Sequence, residues 1–211
     1  MTKIRKPLGP PKFYDISQEP ELIDPASPLT KLAAFGPEIL QKVKEAQPGD
    51  SVDASLAPIV KIYGRTFYLA PVMWLRFQGP DGLQWDYVDF SEDTLQMVPS
   101  DSPGVYGIQV LPPMNNPPGP SYLIYIGETH DQSLQQRYEQ HLKKLTRRDN
   151  IQPKLSDAVR LWNGYLRFYF APVKDQSKIK AIEAELIGAH LPPCNQKFPA
   201  GVQSMIDALR E

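Results

Sequence analysis

The periods of hydrophobic and polar positions change along this chain, and the clearest change lies between Gly104 and Leu145. Val105 to Leu111 mixes apolar and polar residues, and Tyr122 to Ile126 is an unbroken apolar run; both patterns predict β-strands. Between them lies a tip rich in proline and asparagine, residues 112–120, which cannot hold a ladder because proline lacks the N–H. A β-hairpin with a long tip follows, carrying Tyr106 and Tyr125 on neighbouring strands.

Downstream the period becomes helical. With Leu134 at zero on a helical wheel, Tyr138 falls at about 40°, Leu142 at about 80° and Leu145 at about 20°. A helix over 134–145 would bury that stripe. Arg137, at about 300°, and His141, at about 340°, stand together on its border. A short helix is expected over 155–162, a strand over 165–170 and a helix over 177–190. On that last helix Ile179, Ile182, Leu186 and Ile187 form the apolar arc, and Glu183 falls inside it. A carboxylate on a buried face is costly unless it is paired or holds a metal. Either an ion pair with Arg137 or a functional role would explain it. The helix ends before Pro192 and Pro193, and residues 201–210 suggest a short terminal helix.

The first half reads differently. Residues 1–28 hold six of the 23 prolines and no regular period, which suggests an extended arm. Residues 29–46 repeat apolar positions at helical spacing. Strands are expected over 59–63, 66–77 and 85–90, with a strong turn signal at 78–82. Together they predict a small α+β accessory unit over 29–98, whose aromatics Trp74, Trp85, Tyr87 and Phe90 suit its core. Residues 91–103 are polar and turn-rich, and the boundary to a second domain, 99–211, falls there.

Composition adds little and excludes something. Apolar residues make up 41%, enough for a packed core. The net charge of −1 divides into −4 over residues 1–103 and +3 over 104–211, so the second half could meet a phosphate-bearing partner. Lys143, Lys144, Arg147 and Arg148 concentrate that charge and are candidates for a nucleic-acid backbone, although a solvated flank would look the same. The single cysteine, Cys194, excludes an intrachain disulfide and a cysteine-only metal site. No apolar segment follows the charged first residues, and no run approaches the ~20 residues of a membrane span. A cytoplasmic protein without a membrane partner is expected.

The chemistry-bearing residues fall in a recognisable order. Gly104-Val105-Tyr106 and Tyr125-Ile126-Gly127 are followed by Arg137 and His141, then by Glu183, then by Asn195 twelve residues later. This order resembles the GIY-YIG nuclease superfamily, with a conservative Val105 in the first half-motif. The resemblance covers Gly104 to about Phe198. The spacer between the half-motifs is longer than the family's usual ~10 residues, and Glu128 stands where lysine or a small residue often follows the second glycine.

The resemblance implies an α/β (α+β) domain with a small antiparallel three-stranded sheet flanked by helices. It also implies a metal-dependent endonuclease acting on DNA, with RNA left open as a substrate. Glu183 would hold one Mg²⁺ or Mn²⁺ per site, an ion that commonly binds through one or two carboxylates. Arg137 would grip the scissile phosphate as a charge-assisted fork. Tyr106 would activate water, Tyr125 would orient water or phosphate, His141 would assist and Asn195 would brace the site. Gly104 and Gly127 are the motif glycines. Residues 29–98 would set substrate choice or homodimerisation. Two other readings compete: a non-catalytic nucleic-acid-binding module of the same fold, and a protein-interaction adaptor.

Overall fold

The computed structural model describes residues 64–68, 72, 75, 83–111, 121–147 and 150–208. The expected arm, the helix over 29–46, the strand over 59–63 and the hairpin tip lie outside these residues. Val72 and Leu75 are helical, which corrects the strand expected over 66–77. Proline favours the first turn of a helix, so Pro71 in the sequence is as much a helix start as a strand break.

The body is an α+β arrangement built on one four-stranded antiparallel sheet. Its strands are β1 (Asp86–Asp89), β2 (Gly104–Val110), β3 (Tyr122–Thr129) and β4 (Leu166–Pro172), in spatial order β1-β4-β2-β3. The fourth strand corrects the expected count of three. β1 was expected in the accessory unit's meander, but it pairs with β4 along Asp86↔Phe170 to Asp89↔Arg167. Local pattern identified the strand; its partner lies some 80 residues away in sequence, beyond the reach of any local signal.

Helices cover both faces. They are α1 (Leu134–Leu142), α2 (Pro153–Leu161), α3 (Ile179–His190) and α4 (Ala200–Ala208). α1 opens with a capping box: Ser133 accepts from the Gln136 N–H, and the Gln136 side chain accepts from the Ser133 N–H. α1 and α2 pack on one face over Tyr106, Ile108, Phe168 and Phe170. α3 packs on the other over Val105, Ile126 and Ala171. Among the described residues, no helix is long and apolar enough to cross a membrane.

Two irregularities set the geometry of the site. The ladder between β2 and β3 shifts register between Ile108 and Gln109, pairing Ile108 with Tyr125 but Gln109 with Leu123. Ile124 is the extra residue of this bulge. It joins Tyr125 in the core on the α1 face, while Leu123 packs on the α3 face. This is why Tyr122–Ile126 reads as an unbroken apolar run.

The second irregularity is Leu191, which caps α3 in the left-handed region at φ 47° and ψ 53°. That conformation costs a non-glycine residue of order 1–3 kcal/mol. Leu191 is buried with Val202 and Ile206, which offsets the strain. The turn sends residues 192–195 back onto the outer edge of β3.

Candidate active site

Tyr106 lies at the centre. It sits on the middle of the sheet, and its side chain is fully buried. Its register partner on β3 is Gly127. A Cβ on Gly127 would collide with the Tyr106 hydroxyl and sit 2.6 Å from Cζ. The glycine is therefore required by the close approach of the ring. Gly104 is required in the same way, because a Cβ there would run into the Ala171 carbonyl of β4.

Three other predicted residues close on the same hydroxyl. Arg137 Nε donates to it over 2.9 Å. His141 Nε2 lies 3.0 Å away. The Tyr125 ring centroid is 6.1 Å from that of Tyr106 and 5.7 Å from that of His141. The i, i+4 spacing of Arg137 and His141 on α1 brings both to one tyrosine. His141, expected on the border of the helix, is buried.

This setting controls ionisation. Desolvation raises the Tyr106 hydroxyl well above its ordinary value; the charge of Tyr125 adds to this, and Arg137 opposes it. Arg137 thus eases formation of the phenolate, but burial outweighs the guanidinium and the net shift is upward. On Arg137 burial acts in the opposite direction and lowers the pKa, but Tyr106 and Tyr125 more than compensate and it is raised.

Glu183 is half-buried on α3. Burial first, and then the charge of Glu128, push its carboxyl up to about 7, against the pull of Arg137 and Lys180. The Arg137 hydrogen bonds run to Tyr106 and to Gln140 Oε1, at 2.9 and 2.7 Å. Arg137 thus acts on Glu183 as a neighbouring charge, and its directional bonds are made elsewhere.

Asn195 is buried and clamps β3. Its Oδ1 accepts from the Ile126 N–H at 3.0 Å, and its Nδ2 donates to the Ile126 carbonyl at 2.8 Å. Next to it, the Cys194 N–H donates to the Ile124 carbonyl at 2.9 Å. A side-chain amide and a turn thus complete the ladder on an edge strand, immediately before Gly127. Burial raises the Cys194 thiol, as suits a packed cysteine.

The basic candidates do not form one exposed patch. Lys143 is exposed and bridges to Glu139 at 2.9 Å. Arg147 is exposed, and Arg148 lies outside the described residues. Lys144 is buried, contrary to its expected place on the surface. The cause is the 3-10 turn at Lys143–Leu145. At ~120° per residue after Leu142, it swings Lys144 to about 320°, beside His141 on the buried side.

Three participants escaped the sequence reading. Gln140 holds Arg137 and in turn donates to Gln132 at 2.6 Å. Its position three residues after Arg137 on a helix was the available signal. Gln152 donates to the Tyr125 hydroxyl at 3.0 Å from an irregular segment that carries no period. Glu128 has a buried Oε2 with no hydrogen-bond partner.

Among the described residues, no group of three or more His, Cys, Asp or Glu side chains forms a cage for a metal ion. The donor set that is present nevertheless fits a hard divalent ion. Such an ion needs only one or two carboxylates and keeps water at its other positions. The half-buried Glu183 is one such carboxylate.

Fold and site together define an antiparallel α+β protein with a buried tyrosine–arginine–histidine cluster and a carboxylate beside it. Compared with profiles of known protein families, with curated proteins and with solved structures, the chain matches none.

Proposed function

We propose that this chain is a metal-dependent endonuclease of the GIY-YIG type that hydrolyses DNA phosphodiester bonds. The observation that carries the reading is the convergence of Arg137, His141 and Tyr125 on the Tyr106 hydroxyl, with Glu183 within electrostatic reach of Arg137. Four residue types suited to phosphoryl chemistry come together from four separate elements. A purely structural core would fill this place with apolar side chains.

The chemistry assigns each group a task. Arg137 has five N–H donors; one goes to Tyr106 and one to Gln140. Its remaining donors suit the oxygens of a scissile phosphate. Arg137 also covers the Tyr106 hydroxyl, so a phosphate that draws the guanidinium toward itself opens that hydroxyl to water.

Tyr106 is neutral at pH 7, and a neutral tyrosine can act as base only if its own proton has somewhere to go. Its oxygen accepts from Arg137, so its O–H can point at His141 Nε2. Tyr106 then takes a proton from water while passing its own to His141, and the hydroxide so formed attacks phosphorus. The P–O bond to the leaving oxygen breaks, and that oxygen takes a proton from solvent. Gln152 fixes the orientation of Tyr125, which positions water or phosphate. Asn195 holds β3 in place through Ile126. Glu183 would hold the divalent cation, which supplies Lewis acidity to the phosphoryl oxygens when bound.

The test is cleavage of supercoiled plasmid by the purified chain with and without Mg²⁺, with Arg137→Ala as control. Mg²⁺-dependent nicking that disappears in the variant is expected. Equal activity in both proteins, or none in either, sinks the proposal.

A further inference from the structure

Glu128 has no role in the proposed reaction, yet it stands next to Gly127 and its charge reaches Glu183. Its cross-strand partner is Val105, and Ile126 lies two residues before it on β3. Val105 and Ile126 both pack in the core beneath α3, with Ile182 and Leu186. Side chains alternate along a strand and match across a ladder, so Glu128 emerges on the α3 face. Glu183 follows Ile182 on the helix that covers this face. Gly127, between Ile126 and Glu128, borders the Tyr106 hydroxyl on the opposite face. The edge strand thus separates the two carboxylates from the tyrosine cluster by the thickness of one glycine.

Two further observations distinguish this pair from a solvated acidic flank. Glu128 Oε2 is buried and accepts no hydrogen bond. Arg137, the guanidinium whose charge reaches Glu183, directs its bonds to Tyr106 and Gln140. A buried carboxylate oxygen without a donor is costly, and a second carboxylate beside it raises that cost. A cation between them removes both penalties.

We propose that Glu128 is a second metal-binding carboxylate, which seats one hard divalent cation jointly with Glu183 at the edge of β3. The inference rests on the metal-dependent reading of the site but adds a ligand to it. Two carboxylates neutralise a divalent ion, and waters or phosphoryl oxygens take its remaining positions.

The test is calorimetric titration of the full-length protein with Mn²⁺, using wild type, Glu128→Gln, Glu128→Asp and Glu183→Gln. Wild type is expected to bind one ion per chain. Glu128→Gln should weaken binding about tenfold or more, because ligand charge sets the affinity of such sites. Glu128→Asp keeps the charge but withdraws the oxygen by one methylene, so it should fall between the two. Metal-free melting temperatures at or above the wild-type value for the two glutamine variants, each of which relieves repulsion, and close to it for Glu128→Asp verify that they fold. If Glu128→Gln binds Mn²⁺ as wild type does while Glu183→Gln does not, the inference is overturned and the nuclease reading is untouched. A wild type that binds no Mn²⁺ overturns it whether or not DNA is cut. Binding that depends on both glutamates in a protein that cuts no DNA upholds the seat and removes the nuclease reading instead.

Discussion

Arg137 on α1 donates its Nε–H to the hydroxyl of Tyr106 on β2 across 2.9 Å, and His141, one turn further along the same helix, meets that oxygen at 3.0 Å. The bond joins a half-buried charge to a fully buried phenol. Because both side chains converge on one oxygen, the tyrosine couples structure to chemistry. Tyr106→Phe is expected to reduce cleavage by roughly 10²–10⁴-fold, the usual span for a general base. It should also lower stability by about 1–3 kcal/mol, because the buried groups on Arg137 and His141 lose their shared partner. Urea denaturation and plasmid cleavage measure the two effects. A variant with full activity would move the role to Tyr125 or His141.

Gly127 makes room for that hydroxyl. Gly127→Ala should displace the Tyr106 ring, because the new methyl group meets the tip of the ring. Cleavage should fall at least as far as in Tyr106→Phe, with DNA affinity changed much less. An alanine variant with wild-type turnover would mean that the ring moves without consequence.

Glu183 links the site to pH. Burial, and then the charge of Glu128, push its folded carboxyl up to about 7 from the ordinary 4.5. The fold therefore favours the protonated acid. Below pH 4.5 the group is protonated in both states and costs nothing. As pH rises from 4.5 to about 7 the unfolded chain ionises more readily, and the metal-free fold loses stability. Glu183→Gln should flatten this part of the profile. The difference in melting temperature between variant and wild type, measured in EDTA, should grow in favour of the variant from pH 5 to pH 8. A constant difference would mean that the carboxyl titrates normally. A large drop in the variant at every pH would instead reveal a structural ion pair.

Asn195 supplies two hydrogen bonds to the backbone of one residue, Ile126. Asn195→Ala strands a buried N–H and a buried C=O, each costing about 1–3 kcal/mol. The denaturation midpoint should fall accordingly, and amide exchange at Ile126 should quicken. Unchanged protection at Ile126 would show that another group satisfies the edge.

β1 bears on where the domain begins. Val88 and Phe90 are buried in the α1-face core, and the Tyr138 hydroxyl accepts from the Ser91 N–H at 2.8 Å. Fragment 99–211 lacks Val88, Phe90 and Ser91 and should be markedly less stable than fragment 83–211. Equal melting temperatures for the two fragments would make β1 dispensable.

Much of the local structure could be read from the sequence because local forces decide it. Helical spacing defined α1 and α3, and the proline after Leu191 marked the end of α3. The positions of Arg137 and His141 on one helix, and of Glu183 inside an apolar arc, follow from 3.6-residue periodicity alone. Long-range pairing does not. That β1 joins β4, that a bulge at Ile124 turns two consecutive residues to one face, and that a 3-10 turn carries Lys144 inward all depend on contacts between distant segments. The ionisation of the site is likewise tertiary. Spacing put Arg137 beside His141 on one helix, but only packing brought them to Tyr106 and decided that desolvation of the phenol outweighs the guanidinium. Only the fold of β3 beneath α3 brought Glu128 to Glu183, because the residues between them in sequence carry no signal of that approach.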